Sequence, residues 1–257
     1  MSKEENLNYS KKHSQNLGCS TSTSNGTSNG TSNDWIKCLK KVSPKDLHFY
    51  VYPTIDFLPV YGEPFYPIKS FQAVNSGKFN SHIKILTGVT ADEGSLFVYN
   101  LFDNMNTSSG SFQENVINLM NNTLITWKNL QSQQTRNSIL DFYLKKFNLT
   151  NEKSQIDKFK NNVGRIWGDY WLTCPTYLFA KDISLWSSEN QVYFYKLTHK
   201  AKVSAAGCYK SWTGVCHAED IPFVFGYPLK SPQNYTEEDH QFTLLMLKIW
   251  TNFAKTG

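Results

Sequence analysis

Two side chains in this sequence are of the right kind to pass a proton between them. Glu93 follows the run Ile83-Lys84-Ile85-Leu86-Thr87-Gly88-Val89-Thr90, and His217 lies in a long loop beyond Gln191-Val192-Tyr193-Phe194-Tyr195-Lys196-Leu197. Both runs are short and rich in β-branched or aromatic residues, which predicts two strands. In open α/β sheets the working residues collect beyond the carboxyl ends of strands. A carboxylate and a histidine so placed can form an acid–base pair, the carboxylate fixing the imidazole tautomer and stabilising the imidazolium. Spacing alone also fits a plainer account, a helix-capping glutamate and a solvent-exposed loop histidine.

The cysteines offer a second set of reactive groups. Cys19, Cys38, Cys174, Cys208 and Cys216 contain no C-x-x-C pair, so neither a zinc ribbon nor a thioredoxin-type site is expected. The odd count leaves at least one thiol without a partner in the chain, and five buried thiols in a reduced protein would fit it equally. Cys208 and Cys216 flank a Trp-containing loop and either bridge locally or stand as two thiols beside His217.

The elements that must position these groups follow from pattern. Residues 1–18 read as a polar helical segment ending at Gly18. Residues 20–34 are a Ser/Thr/Asn/Gly repeat with nothing apolar to bury, a flexible surface loop. Trp35 to Leu47 reads as one short helix, and Tyr52 to Pro67 as irregular and turn-rich. Between the two strands, helices are expected at 112–128, 131–147, 152–162 and 169–186; Leu140, Phe142, Tyr143 and Phe147 give the second an apolar face. Trp167, Tyr170 and Trp171 suit either an acyl pocket or, more simply, helix core. Residues 199–218 form a long loop. Thr236 caps a last helix with Glu237, Glu238 and Asp239 in its first turn. Two strands separated by a block of helices indicate α/β architecture, yet two are too few for a whole sheet.

Composition narrows the function classes. The 257 residues are 40% hydrophobic and 18% charged, which excludes a fully disordered or collagen-like chain. The net charge of +5 is carried almost entirely by lysine, with guanidinium only at Arg136 and Arg165. Nucleic-acid binders cluster arginine, so no nucleic-acid partner is expected. No apolar run is long enough for a membrane span, because Lys248 and Asn252 break the last helix. The amino terminus, Met1-Ser2-Lys3-Glu4-Glu5-Asn6, has no apolar core of a signal peptide, which predicts a cytoplasmic protein if the chain is expressed as it stands. Sequons at Asn8, Asn25, Asn29, Asn106, Asn121, Asn148 and Asn234 hint at secretion instead. No cofactor and no metal is expected.

Six segments, taken in chain order, resemble one family. Gly88-Val89-Thr90-Ala91-Asp92-Glu93-Gly94-Ser95-Leu96-Phe97 resembles the GV..DEG..F signature of the type-B carboxylesterase and cholinesterase family. The run from Gly214-Val215-Cys216-His217-Ala218-Glu219 to Ile221-Pro222-Phe223-Val224-Phe225-Gly226 resembles its HG.E.PFVFG loop. Leu17-Gly18-Cys19 with Cys38-Leu39 resembles its early disulfide loop, and Gly62-Glu63-Pro64-Phe65-Tyr66-Pro67 its DG.F.P segment. Gly168-Asp169 with Cys174-Pro175 resembles a late helix, and Trp250 to Gly257 the W..FA.TG helix end.

The resemblance implies the C-terminal portion of an α/β-hydrolase fold, with residues 1–257 a partial carboxylesterase type-B domain, few sheet strands and much helix. It implies ester hydrolysis by a Ser–Glu–His triad, with Glu93 as the acid, His217 as the base and a small-molecule or lipid ester as substrate. It also implies a Cys19–Cys38 bond, a free Cys174 and secretion of the full-length protein. Ala218 departs from the family's usual glycine. The nucleophile's elbow and the glycine-rich oxyanion loop lie upstream of everything matched. Gly26-Thr27-Ser28-Asn29-Gly30 does fit G-x-S-x-G, and Ser28, Glu93 and His217 follow in the order this fold uses. An elbow needs a buried strand before the serine and a helix after it, whereas Ser28 has a polar repeat on both sides. The isolated chain is therefore expected to be inactive. The alternatives are a non-catalytic cholinesterase-like binding or adhesion domain, or an inactive truncated product.

Overall fold

The computed structural model describes residues 2–19, 34–51, 59–80, 82–107, 109–127, 130–147, 149, 152–186, 189 and 191–257. The chain divides into two compact units, Met1–Phe79 and Asn80–Gly257.

The first unit opens with α1 (Lys3–Asn16). Its start is a full capping box, the Ser2 hydroxyl accepting the Glu5 amide while the Glu5 carboxylate accepts the Ser2 amide. The helix ends where Gly18 turns left-handed at φ +74°, a conformation glycine reaches without strain. The single helix expected over Trp35–Leu47 is two, α2 (Asp34–Leu39) and α3 (Pro44–Val51). The reason is local: the Ser43 hydroxyl accepts the Asp46 amide at 3.1 Å, and Pro44 at the first helical position favours a fresh start. A short α4 (Ser70–Asn75) follows. Cys19 and Cys38 are bonded, with their Cα atoms 5.6 Å apart. Asp34, the last residue of the low-complexity stretch, is the first of α2; residues 20–33, Ser28 among them, lie outside the described residues.

The second unit contains, in order, β1 (Lys84–Thr90), α5 (Phe112–Leu124), α6 (Gln133–Leu144), α7 (Lys153–Gly168), α8 (Cys174–Trp186), β2 (Gln191–Leu197), the short α9 (Ile221–Val224) and α10 (Tyr227–Lys230), and α11 (Glu237–Thr256). The strands pair in parallel, Lys84 opposite Gln191 through Thr90 opposite Leu197. Period-two alternation sends their side chains to opposite faces. Phe194 meets Tyr177 of α8 at 5.8 Å between ring centres. Tyr193 and Tyr195 meet Phe253 and Trp250 of α11 at 6.0 and 5.1 Å. Neither strand has a second neighbour among the described residues, and Tyr193 and Phe194 are left nearly half exposed.

The main core lies in the helices between the strands. Val116, Met120 and Leu124 of α5, Leu140 and Leu144 of α6, and Ile156, Phe159, Val163 and Ile166 of α7 are buried at helical spacing and join one cluster. Burying side chains of this size stabilises by about 1.5–3 kcal/mol each. Arg136 is buried among them; its guanidinium donates to the Leu130 and Gln131 carbonyls and to Asn121 and Gln133, and no carboxylate pairs with it among the described residues. Trp127 packs against Trp167 and Tyr170 at 4.8 and 4.5 Å, so that trio serves mainly as core, with Trp171 half exposed.

The gap expected between helices at 162 and 169 does not exist. α7 continues to Gly168 and passes through a wide five-residue π-turn, Asp169–Thr173, into α8. Gly164 and Gly168 sit inside this helix because of what lies against them.

Candidate active site

Chain strands β1 and β2 both end at the same place. Beyond Thr90, the Ala91 amide donates to the Leu197 carbonyl and the Asp92 amide to the Val215 carbonyl, each at 2.9 Å. The chain then turns tightly through Glu93–Ser95. Glu93 is 7% exposed. Its Oε1 accepts the Thr90 amide at 2.7 Å, and its Oε2 faces His217 Nδ1 at 2.7 Å. A carboxylate only accepts, so Nδ1 donates in this contact, and in the neutral ring Nε2 then keeps its lone pair. The His217 side chain is 41% exposed, and the Phe97 ring lies 5.5 Å from its centre.

Three glycines bring α7 onto the Glu93 turn. A Cβ on Gly94 would overlap the Gly164 carbonyl. A Cβ on Gly168 would stand 2.7 Å from the Gly94 amide nitrogen, and one on Gly164 3.0 Å from Ser95 Cα. Only hydrogen fits at Gly94 and Gly168, and a Cβ at Gly164 would press on Ser95; this close approach explains why Gly164 and Gly168 occupy a helix interior that they otherwise weaken.

Asp92 fixes the other half of the site. Its Oδ2 accepts the Val215 amide at 2.9 Å and its Oδ1 accepts Asn161 of α7 at 2.8 Å. Gly214, at φ +59°, lies so close to this carboxylate that a Cβ there would collide with it. Ser95 adds a bond from its hydroxyl to the Thr213 carbonyl at 2.6 Å. Asp92 and Ser95 thus tie the segment before His217 to the turn that carries Glu93. Sequence reading missed both roles, since they join residues more than a hundred positions apart; the one available signal was their place inside the same motif as Glu93.

Two features follow His217 or precede it. Ala218 is at φ +71°, where a Cβ costs about 1–2 kcal/mol, so the family's glycine at this position has a backbone reason. Cys208 and Cys216, left open by sequence, are bonded, with Cα atoms 6.6 Å apart. Cys174 is a free thiol; burial, then Asp169, raises its pKa. Glu219 is fully buried beside the bond, and burial raises its pKa against the opposing pull of Ser204, Lys200 and the Ala206 amide. Behind Glu93, a cavity of about 200 Å³ is lined by Thr90, Gly94, Arg165, Thr173, Phe194 and Lys196 among others. Neither Glu93 nor His217 belongs to a cluster of metal-ligating side chains among the described residues.

Residues 1–257 match the carboxylesterase family model along their whole length. The chain belongs to the carboxylesterase family. This family member is similar to an acetylcholinesterase of Bungarus fasciatus, 27% identical over 231 residues that cover 86% of this chain and 36% of the relative. It is 29% identical to a cholinesterase of Mus musculus, covering 87% of this chain and 36% of the relative. An acetylcholinesterase of Electrophorus electricus is 26% identical, with coverages of 87% and 39%. The carboxylesterase chain therefore spans a little over a third of the length of these curated relatives. Family membership implies the α/β-hydrolase fold, and two parallel strands between helices are a part of one. No helix among the described residues is long and apolar enough to cross a membrane.

Proposed function

We propose that this chain supplies the acid and the base of a Ser–Glu–His ester-hydrolase centre, with Glu93 and His217 in those roles and residues 1–257 acting as part of one carboxylesterase domain. The observation that carries the reading is the 2.7 Å contact at Nδ1, which leaves Nε2 of a half-exposed imidazole free. Nε2 takes the proton of an attacking serine hydroxyl as that oxygen adds to the ester carbonyl. The imidazolium is stabilised by Glu93, and the proton then passes to the departing alcohol. Water repeats the cycle to release the acid. The serine is assigned to the portion of the domain that the curated relatives have beyond this chain's match, because the surroundings of Ser28 are polar on both sides. The substrate class is a carboxylic ester, of a small molecule or a lipid. Two disulfides favour an oxidising compartment.

Two measurements test the reading. Nitrogen NMR of the folded chain should find His217 as the Nδ1–H tautomer in wild type and mixed in Glu93→Gln; an Nε2–H tautomer in wild type removes the base from its role. The chain alone should hydrolyse an activated aryl ester no faster than His217→Ala. Turnover lost on both His217→Ala and Ser28→Ala would place the nucleophile at Ser28 and overturn the assignment.

A further inference from the structure

We propose that the loop preceding His217 contains a redox-gated site for one thiophilic divalent cation of the zinc class, formed by Cys208, Cys216 and Glu219. The proposal does not depend on the esterase reading.

All three residues are completely buried. One ligand atom from each, the two Sγ atoms and a Glu219 oxygen, fall within 4.8 Å of one another. Cys216 Sγ lies 3.7 Å from Glu219 Oε1. A tetrahedral zinc ion, about 2.3 Å from sulfur and about 2.1 Å from oxygen, holds such a pair about 3.6 Å apart. Sulfur and oxygen are already spaced as two corners of that tetrahedron. Glu219 Oε1 accepts the Ser204 hydroxyl, while among the described residues no hydrogen bond of good geometry reaches the buried Oε2. An unmatched carboxylate oxygen in a dry interior is costly, and a cation removes that cost more completely than a neutral donor does. Two thiolates with one carboxylate select zinc-like ions over magnesium or calcium. The fourth position is left to water or to the Ser204 hydroxyl.

The bond between the sulfurs is what occupies the site, and the loop has other restraints. The Cys208 amide donates to Ser204 Oγ at 2.8 Å, and the Thr213 hydroxyl donates to the Cys208 carbonyl at 3.1 Å. The Thr213 carbonyl is held by Ser95 and the Val215 amide by Asp92. Reduction therefore frees two ligands on a backbone that remains held, and rotation about their Cα–Cβ bonds lets the sulfurs part to the roughly 3.8 Å that two thiolates take on one tetrahedral zinc. A phosphine breaks the S–S bond and takes up the oxygen of one water as phosphine oxide; the two protons of that water go to the two Sγ atoms. Metal binding then releases both thiol protons to solvent.

The test uses the full chain reduced with a water-soluble phosphine, with five thiols counted after denaturation and cobalt(II) as the probe. The expected result is one cobalt per reduced chain, with thiolate-to-cobalt absorption and two sulfurs in its X-ray absorption shell, and none in the oxidised chain. A Cys19→Ser/Cys38→Ser/Cys174→Ser variant should keep the site. Cys208→Ser or Cys216→Ser should lose the thiolate band, and Glu219→Gln should weaken binding at least tenfold. Cobalt uptake unchanged in Cys208→Ser overturns the proposal. So does absence of uptake by reduced wild type, and so does loss of its native circular dichroism on reduction, because the site depends on the loop holding its shape.

Discussion

Among the histidine–carboxylate pairs of the second unit, two share a contact of 2.7 Å, and they are built for different ends. In the first, His199 Nε2 meets Asp239 Oδ1, while Asp239 Oδ2 accepts the amides of Thr236 and Lys202 at 3.0 and 3.2 Å. The His199 ring is stacked on Phe242 at 4.5 Å and lies edge-on to Phe223 at 5.4 Å. Its side chain is 17% exposed, and its second nitrogen looks toward Glu238 at 3.9 Å. Both carboxylate oxygens are bonded and the ring is held by two aromatic neighbours; the pair is a clamp between the loop after β2 and the first turn of α11. In the second pair Glu93 has one amide and one imidazole, and among the described residues nothing bonds the second nitrogen of the half-exposed His217 ring. A short contact does not by itself mark a proton-transfer pair. What distinguishes the two is the group left unspent.

The comparison can be broken most forcefully at the clamp. Asp239→Ala empties a buried carboxylate site, strands three part-buried donors and removes the helix cap, so equilibrium urea unfolding should show a loss of about 3–5 kcal/mol. The matching change on the other side, Glu93→Gln, should cost about 1 kcal/mol, because its histidine is already partly solvated. Equal losses would erase the distinction. Between these two lies Gly94→Ala, which forces α7 off the turn and should cost about 2–3 kcal/mol while disturbing the His217 tautomer. Acid sharpens the same contrast. Burial works to raise the Asp239 pKa, but the amide of Thr236, the His199 ring and the amide of Lys202 outweigh it and hold the carboxyl below its usual range. A depressed folded pKa means that this stability is fully present above the unfolded value of about 3.9 and is lost as pH falls through the folded one. Below about pH 4, wild type should therefore lose stability more steeply than Asp239→Asn, measured by urea midpoints across the range. The smallest effect belongs to Ala218→Gly, which relieves the left-handed backbone and should raise stability by about 0.5–1 kcal/mol after the added entropy of glycine.

What sequence could reveal here depended on how far apart the cooperating residues lie. The two strands were readable because each is a continuous apolar run, and α11 because Thr236 and Asp239 form its capping box within four residues. Glu93 and His217 were singled out by strand ends and by motif, and the structure brings them together. The continuity of α7 into α8 was hidden because Gly164 and Gly168 weaken a helix locally, and their reason, the backbone of Gly94 and Ser95, is some seventy residues away. The clamp at Asp92 and the pairing of Cys208 with Cys216 are tertiary facts that no periodicity encodes. The split of α2 from α3 was legible in Ser43-Pro44, a cap followed by a proline, and was passed over.

The fastening of the Val215 segment to Asp92 by backbone and side chain together has a mechanical consequence. Glu93 and His217 are mounted on a single block: the turn after β1, the α7 backbone behind it and the loop ahead of His217 are cross-tied and shift together. On the proposed reading, a third group joining them from elsewhere has one rigid placement to satisfy, with the mutual aim of carboxylate and imidazole already fixed before it arrives. Errors in that docking would tilt the approach to Nε2 as a whole and leave the Nδ1 bond untouched, so a badly joined molecule would fail with its histidine still correctly wired.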